Sequence, residues 1–287
     1  MPRVVKDTSN LERLYFDTSH WNRLCDHPRR AEILAGFDHS ARAVFPSMIN
    51  AAELLNTRRA ERRADLCSVM VALQRDDHAV LGDPESILAR TADAVRRGDD
   101  TMLVGDGPAE LVLRRWIEDP SSAPDGGREL LRKYTDTMKS DFEVIRADFA
   151  EAHRENGFIG DAATAVVLPS FAEYLFENVG VVRRIAESPG EVLFLIQDTA
   201  PWRAFAATVA YEFHLQRRGL LSEETVKPPG GPDMMQLTYM GLVSRFVLTD
   251  VDFVRAAKWG AELLPEGMVV DVVESADYFA EIGFPIR

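Results

Sequence analysis

The sequence predicts an α/β protein with a parallel sheet whose two halves are separated by a helical insertion. Short β-prone runs alternate with helical patterns over residues 11–97 and again over 230–287, the rhythm of βαβ units. Residues 98–229 instead carry apolar positions at three- and four-residue steps, the period of amphipathic helices. That middle segment is bounded by Arg96-Arg97-Gly98-Asp99-Asp100 and by Lys227-Pro228-Pro229-Gly230-Gly231-Pro232, the polar and Pro/Gly stretches expected where elements end. The expected organisation is therefore a first core part (1–97), a helical insertion (98–229) and a second core part (230–287).

Leu11 to Phe16 (LERLYF) reads as the first strand, and Asp17-Thr18-Ser19 supplies caps for a helix around His20 to Cys25. Ala43-Val44-Phe45 is the second strand, stopped by Pro46. Ser47 then caps a helix expected to run unbroken from about Met48 to Leu73. Ala79-Val80-Leu81 predicts a third short strand, with a helix from Glu85 to Arg97 after it. Within the insertion the spacing of Leu131, Tyr134, Met138, Phe142, Ile145 and Phe149 predicts a long helix over 127–156. Further helices are expected at Pro169 to Val179, Val181 to Glu187 and Pro201 to Arg218, Pro201 suiting a first turn. The rhythm then resumes with a helix at Asp233 to Leu242, the strand RFVL (Arg245 to Leu248), a helix at Val251 to Leu264, the strand MVVDVV (Met268 to Val273) and a closing segment from Ser275 to Gly283.

Composition narrows the function classes. The two cysteines, Cys25 and Cys67, form no CxxC and indicate neither a disulfide framework nor a thiolate zinc site. The strongest apolar run, Val192 to Ile196, is far too short to span a bilayer, and MPRVVKDTSN lacks the apolar core of a secretory signal. No membrane association and a cytoplasmic location are expected. A net charge of −13 argues against a polyanionic partner until its distribution is considered. Lys/Arg against Asp/Glu is 15 to 14 over residues 1–97, 14 to 23 over 98–229 and 4 to 9 over 230–287, giving +1, −9 and −5. The excess lies mainly in the insertion. The −4 of the outer segments is what divalent cations at clustered carboxylates would offset.

Four acids stand where such a sheet delivers functional groups. Asp17 follows the first strand and Asp250 follows RFVL, while Glu53 and Asp233 lie early in helices next to strands. Carboxylates gathered at one sheet edge repel each other unless a cation joins them, and hard oxygen ligands suit Mg²⁺ or Mn²⁺. Such an ion polarises a phosphate and activates water.

These residues, in order and context, resemble the PIN-domain nucleases: Leu14-Tyr15-Phe16-Asp17-Thr18-Ser19, Phe45-Pro46-Ser47 with Ala52-Glu53-Leu54, Pro232-Asp233, and Val247-Leu248-Thr249-Asp250-Val251-Asp252-Phe253. The resemblance covers residues 11–97 and 230–270. It implies a three-layer α/β/α sandwich around a central parallel sheet, and metal-dependent hydrolysis of RNA, less often DNA. It puts Asp17, Glu53, Asp233 and Asp250 on the family's metal-ligand carboxylates and Thr249 on its strand-end hydroxyl. Most small toxin-type members have no insertion of this size, which weighs against an antitoxin partner.

Other residues bear on the same site. Asp161, in GFIGDAATAV, is the rival of Asp233 for the third carboxylate, and Asp252 reads as a helix N-terminal acid. Ser19, Arg58 and Arg59 are candidates for substrate contact, the arginines on the helix that carries Glu53. His20 is a core or surface histidine before it is a ligand. An aspartyl phosphatase would need an acid where Ser19 stands, whereas a PIN-like module that binds RNA or a protein without cleaving is the live alternative. The insertion could restrict access to the acids, or form a homodimer through the Leu131 to Phe149 stripe.

Overall fold

Four short strands form one all-parallel sheet in the order β2–β1–β3–β4: β1 (Glu12–Phe16), β2 (Arg42–Val44), β3 (Arg245–Leu248) and β4 (Asp271–Glu274). The molecule is a computed structural model that describes residues 11–74, 80–98, 108–156, 166–221, 231–264, 266 and 268–285. Side chains at 138, 141, 142, 144–156, 216–221 and 231 lie outside the description. Leu14 aligns with Val44 on one side and Arg245 on the other, and Val247 aligns with both Phe16 and Val273.

Side chains alternate across this sheet into two cores. Tyr15, Ala43, Phe246, Leu248 and Val272 point to one face, and Leu14, Phe16, Val44 and Val247 to the other. Both faces are buried, which is why Leu14-Tyr15-Phe16 of β1 and Phe246-Val247-Leu248 of β3 are continuous apolar runs rather than alternating ones. Tyr15 stacks on Phe246 with ring centroids 4.5 Å apart, a pairing worth about 0.5–1.5 kcal/mol beyond its buried area.

Helices cover both faces, and the residues that follow strands start them. Asp17 caps α1 (Thr18–Asp26) by accepting the His20 N–H at 2.5 Å. After α2 (Arg30–Ala35) and β2, Ser47 and Asn50 make a reciprocal capping box at the start of α3 (Met48–Leu55). The expected single helix from Met48 to Leu73 is in fact two, α3 and α4 (Ala60–Leu73). Between them Asn56, Thr57, Arg58 and Arg59 offer no large apolar side chain to bury, and packing is what sustains most helices. The break is held by the Thr57 N–H on the Leu54 carbonyl (3.1 Å) and by the Arg63 guanidinium on the Thr57 carbonyl (2.8 Å).

The expected third strand is reduced to an isolated parallel bridge between Ser47 and Leu81, with residue 79 outside the described residues. Asp83 caps α5 (Pro84–Arg96), with Pro84 in the first turn. The segment 98–229 supplies α6 (Pro108–Glu118), α7 (Asp125–Asn156), α8 (Pro169–Asn178), α9 (Gly180–Ile185), α10 (Pro189–Asp198) and α11 (Ala200–Leu221). Its residues enter all the cores: α11 lends Ala204, Tyr211 and Leu215 to one sheet face, while Leu113, Ile117 and Leu131 join the other. Helices α8 to α11 build a third cluster with Leu88 and Ala92 of α5, where Trp202 Nε1 donates to the Leu88 carbonyl at 3.0 Å. Of the proposed dimer stripe, Leu131 is buried in its own chain and Tyr134 packs against both sheet-face cores. The side chains of Met138, Phe142, Ile145 and Phe149 lie outside the described residues. Among the described residues no helix is long and apolar enough to cross a membrane.

The expected helix from Asp233 to Leu242 divides into α12 (Gly231–Gln236) and a 3₁₀ turn, Leu237–Gly241. A Cβ on Gly241 would lie 2.6 Å from the Pro201 nitrogen and 2.7 Å from the Ala200 carbonyl carbon, so only glycine lets this turn reach the start of α11. Asp250 caps α13 (Val251–Ala261), and α14 (Ser275–Glu281) follows β4. Strand β4 begins three residues later than its hydropathy suggests. Its first ladder bond, Asp271 N–H to the Ser244 carbonyl at 2.9 Å, forms only where β3 begins, and Val269 before it is 83% exposed. Pairing sets that boundary, not apolarity.

Candidate functional site

The sheet changes winding direction between β1 and β3, since β2 lies on one side of β1 and β3 on the other. In open α/β sheets the crevice at such a reversal, outside the carboxyl ends of the strands, is where ligands bind. Asp17 and Thr249-Asp250 occupy that edge. The Asp17 N–H continues the β1–β3 ladder onto the Val247 carbonyl at 3.1 Å.

Asp17 is 5% exposed and held on several sides. Its Oδ2 accepts the Thr249 N–H at 2.9 Å, and its Oδ1 accepts the Thr249 hydroxyl at 3.2 Å beside the His20 N–H. Burial pushes its carboxyl up to about 6 despite those hydrogen bonds, and the nearby Asp233 charge pushes the same way. Glu53, half-buried on α3, is also raised, first by burial and then by Asp233 and Asp17, against the pull of a hydrogen bond from Thr18 Oγ1 and the Lys139 ammonium. Thr18 Oγ1 donates to Glu53 Oε2 and accepts from Asn50 Nδ2 at 3.2 Å. Asn50 in turn meets Ser47, whose hydroxyl lies 3.2 Å from the Tyr15 hydroxyl; that hydroxyl donates to Gln236 Oε1 at 2.6 Å. One buried polar chain thus runs from Glu53 on α3 beneath the sheet edge to α12, the helix that carries Asp233.

Three of the four candidate acids, Asp17, Glu53 and Asp233, therefore sense one another. Asp250 shares the edge, but its carboxylate is exposed and turned to its own helix, accepting from the Asp252 and Phe253 N–H groups at 3.0 and 2.9 Å. Asp252 pairs with Arg255 at 2.9 Å in the same first turn. Among the described residues no group of three or more His, Cys, Asp or Glu side chains is set to hold a metal ion. Asp161 lies outside the described residues.

The donors themselves are of the type that Mg²⁺ or Mn²⁺ prefers, although among the described residues they do not form a ligand group. They are hard carboxylate oxygens without sulfur or imidazole, two of them held above their ordinary pKa by burial and mutual repulsion that a cation would relieve. Asp17 Oδ2 accepts one hydrogen bond and keeps a lone pair for an ion.

The substrate candidates separate. Thr249 spends its hydroxyl on Asp17, and Ser19 is exposed on α1. Arg58 and Arg59 are exposed in the break after α3, so they do not continue the helix of Glu53. Arg62, on α4, is tied to Asp26 at 2.5 Å and to Asn22. His20 is fully buried, 2.8 Å from the Ser275 hydroxyl and stacked on Phe279, and burial pushes it down to about 3. It is a core histidine. Sequence reasoning missed Asn50, Tyr15 and Gln236 as positioning residues. Only Ser47-x-x-Asn50, a capping box with Asn in place of Glu or Gln, carried a signal for one of them. No protein-family model matches the chain, and neither a curated protein nor a solved structure is detectably similar to it.

Proposed function

We propose that this chain is a PIN-like nuclease, dependent on Mg²⁺ or Mn²⁺, that hydrolyses phosphodiester bonds in cytoplasmic single-stranded or structured RNA in preference to DNA. What supports this reading is that Asp17, at the winding reversal of a parallel sheet, and Glu53 are both buried carboxyls raised in pKa, each under the added influence of the Asp233 charge. A parallel sheet with helices on both faces is also what the PIN resemblance implies.

In this reading Asp17, Glu53 and Asp233 hold the cation, and Asp250 joins them by leaving its cap. The cation supplies Lewis-acid activation of the phosphate and of water. Thr249 and the His20 N–H fix the Asp17 carboxylate so that its orientation is set before substrate arrives. Thr18 and Asn50 do the same for Glu53. Arg58, Arg59 and Ser19, all exposed, are available to the sugar–phosphate backbone.

A second reading, a binding module that does not cleave, is favoured by the outward turn of Asp250 and by the lack of a closed ligand group among the described residues. Cleavage of single-stranded RNA with Mn²⁺ or with EDTA separates the two, alongside the Mn²⁺-induced rise in Tm. The nuclease reading expects Mn²⁺-dependent cleavage and stabilisation, both lost in Asp17→Asn. RNA binding with no cleavage under any divalent ion would establish the second.

A further inference from the structure

We propose that His27 is a proton-sensitive catch for the C-terminal helix: neutral, it holds α14 against the end of α1, and its protonation loosens that hold. The inference is independent of the nuclease reading.

Helix α14 ends in a closed turn. Gly283, at φ +85°, lets the chain reverse, so that the Phe284 N–H reaches the Phe279 carbonyl at 2.7 Å and the Gly283 N–H the Ala280 carbonyl at 3.1 Å. The Phe284 carbonyl is left for a partner outside the helix. His27, directly after α1 and 8% exposed, supplies it through Nε2 at 3.2 Å. The same ring stacks on Phe279 with centroids 5.2 Å apart and meets the Phe284 ring edge-on at 6.4 Å. Arg29 adds its guanidinium carbon 4.4 Å from the Phe284 ring centroid.

Both ring nitrogens of His27 are engaged, in opposite senses. A carbonyl only accepts, so Nε2 carries the proton. A backbone N–H only donates, so Nδ1, which takes the Arg29 N–H at 3.1 Å, carries none. The contacts thus select one neutral tautomer. A second proton, on Nδ1, would point at the Arg29 N–H, and that bond must break. No neighbouring charge compensates. Asp26 is paired with Arg62, Glu32 with Arg29 and Glu281 with Arg245, Arg30 reaches Cys25, and Asp277 is exposed on α14. Among the described residues no carboxylate meets either nitrogen of His27. At the other end of α14, His20 stacks on the same Phe279 at 4.9 Å and lies 2.8 Å from the Ser275 hydroxyl, a packing contact that the catch does not need to titrate. The docked helix therefore accepts neutral His27 and rejects the imidazolium. Docking is full at high pH and is lost as pH falls.

Amide hydrogen exchange on the full chain, corrected for its intrinsic pH dependence, tests this at pH 7.5, 6.5 and 5.5. Protection of α14 in the wild type should fall about tenfold over that interval, the scale of one hydrogen bond lost to a buried charge, while α13 keeps its protection. In His27→Gln, which retains an N–H for the Phe284 carbonyl and does not titrate, α14 should stay within about twofold across the same interval. Asp17 titrates there too, at about 6, but it sits at the far end of α1 and is present in both chains, so the variant subtracts its share. Parallel α14 and α13 profiles in the wild type would overturn the proposal whether or not His27→Gln folds. An equal fall in the variant would overturn it as well.

Discussion

Asp17→Asn should steepen the acid limb of the protein's stability curve rather than simply raise or lower its stability. In the folded chain burial lifts the Asp17 carboxyl from an ordinary 3.8 to about 6. The stability tied to its proton is therefore present below pH 3.8 and lost as pH rises through 6, about 3 kcal/mol in all and about 2 kcal/mol of it between pH 4 and pH 6. His20 works in the opposite direction. It is held neutral down to about 3 from an ordinary 6.5, so its contribution is present above pH 6.5 and lost as pH falls through 3. That amounts to about 2.5 kcal/mol between pH 4 and pH 6. The two nearly cancel in the wild type, whose stability should be close to flat over that interval as far as these groups decide it.

Asparagine removes only the first contribution. Its amide must also turn an NH₂ toward one of the N–H groups that Asp17 now receives from Thr249 and His20, which costs about 1–3 kcal/mol at every pH. The absolute stability of the mutant is thus a poor readout and the slope a good one. Every other titrating group is common to both chains, and weaker repulsion on Glu53 shifts the difference the same way. Urea unfolding in EDTA at pH 4, 5 and 6 should give a mutant curve that rises about 2 kcal/mol more than the wild type. Parallel curves would refute the argument that burial strains this carboxyl.

Further substitutions test the same frame. Thr249→Val keeps the backbone donor to Asp17 but loses the 3.2 Å hydroxyl bond, and should cost about 1–2 kcal/mol at pH 8 and less at pH 4, where the carboxyl is protonated. Tyr15→Phe takes from buried Gln236 Oε1 its 2.6 Å donor, while Ser47 keeps Asn50, so a loss of about 1–3 kcal/mol is expected in chemical denaturation. Gly241→Ala drives a methyl into the Ala200–Pro201 backbone and should lower stability by about 1–3 kcal/mol; an unchanged midpoint would mean the 3₁₀ turn moves away freely.

Elements that bury a face on their own account were legible in the sequence. Strand β1 and strand β3 are apolar runs closed by Asp17 and by Thr249-Asp250, and their caps start α1 and α13 as the polar residues imply. What escaped reading depended on distant partners. The break between Leu55 and Ala60 has no Gly or Pro to announce it, because it comes from a stretch with nothing to bury and is fixed by Arg63 reaching back to Thr57. The start of β4 depended on where β3 begins.

The same distinction governs the site. A strand-end acid is visible locally, but which way its carboxylate turns depends on which donors lie closest. Asp17 lies between two elements: it caps α1 through one N–H, while Thr249 reaches it from the neighbouring strand and holds the group in the buried edge. Asp250 has two N–H groups of its own helix within 3.0 Å and stays outside with them. Two acids with the same local sequence logic therefore differ in burial because one has a cross-strand partner. Recruiting Asp250 to the pocket means giving up a helix cap, a cost of about 0.5–2 kcal/mol that a divalent cation must exceed. Asp250→Asn preserves the capping oxygen, so it should leave the metal-free Tm within a degree or two while weakening Mn²⁺ binding. A substitution that lowers Tm but spares Mn²⁺ affinity would confine Asp250 to its structural role.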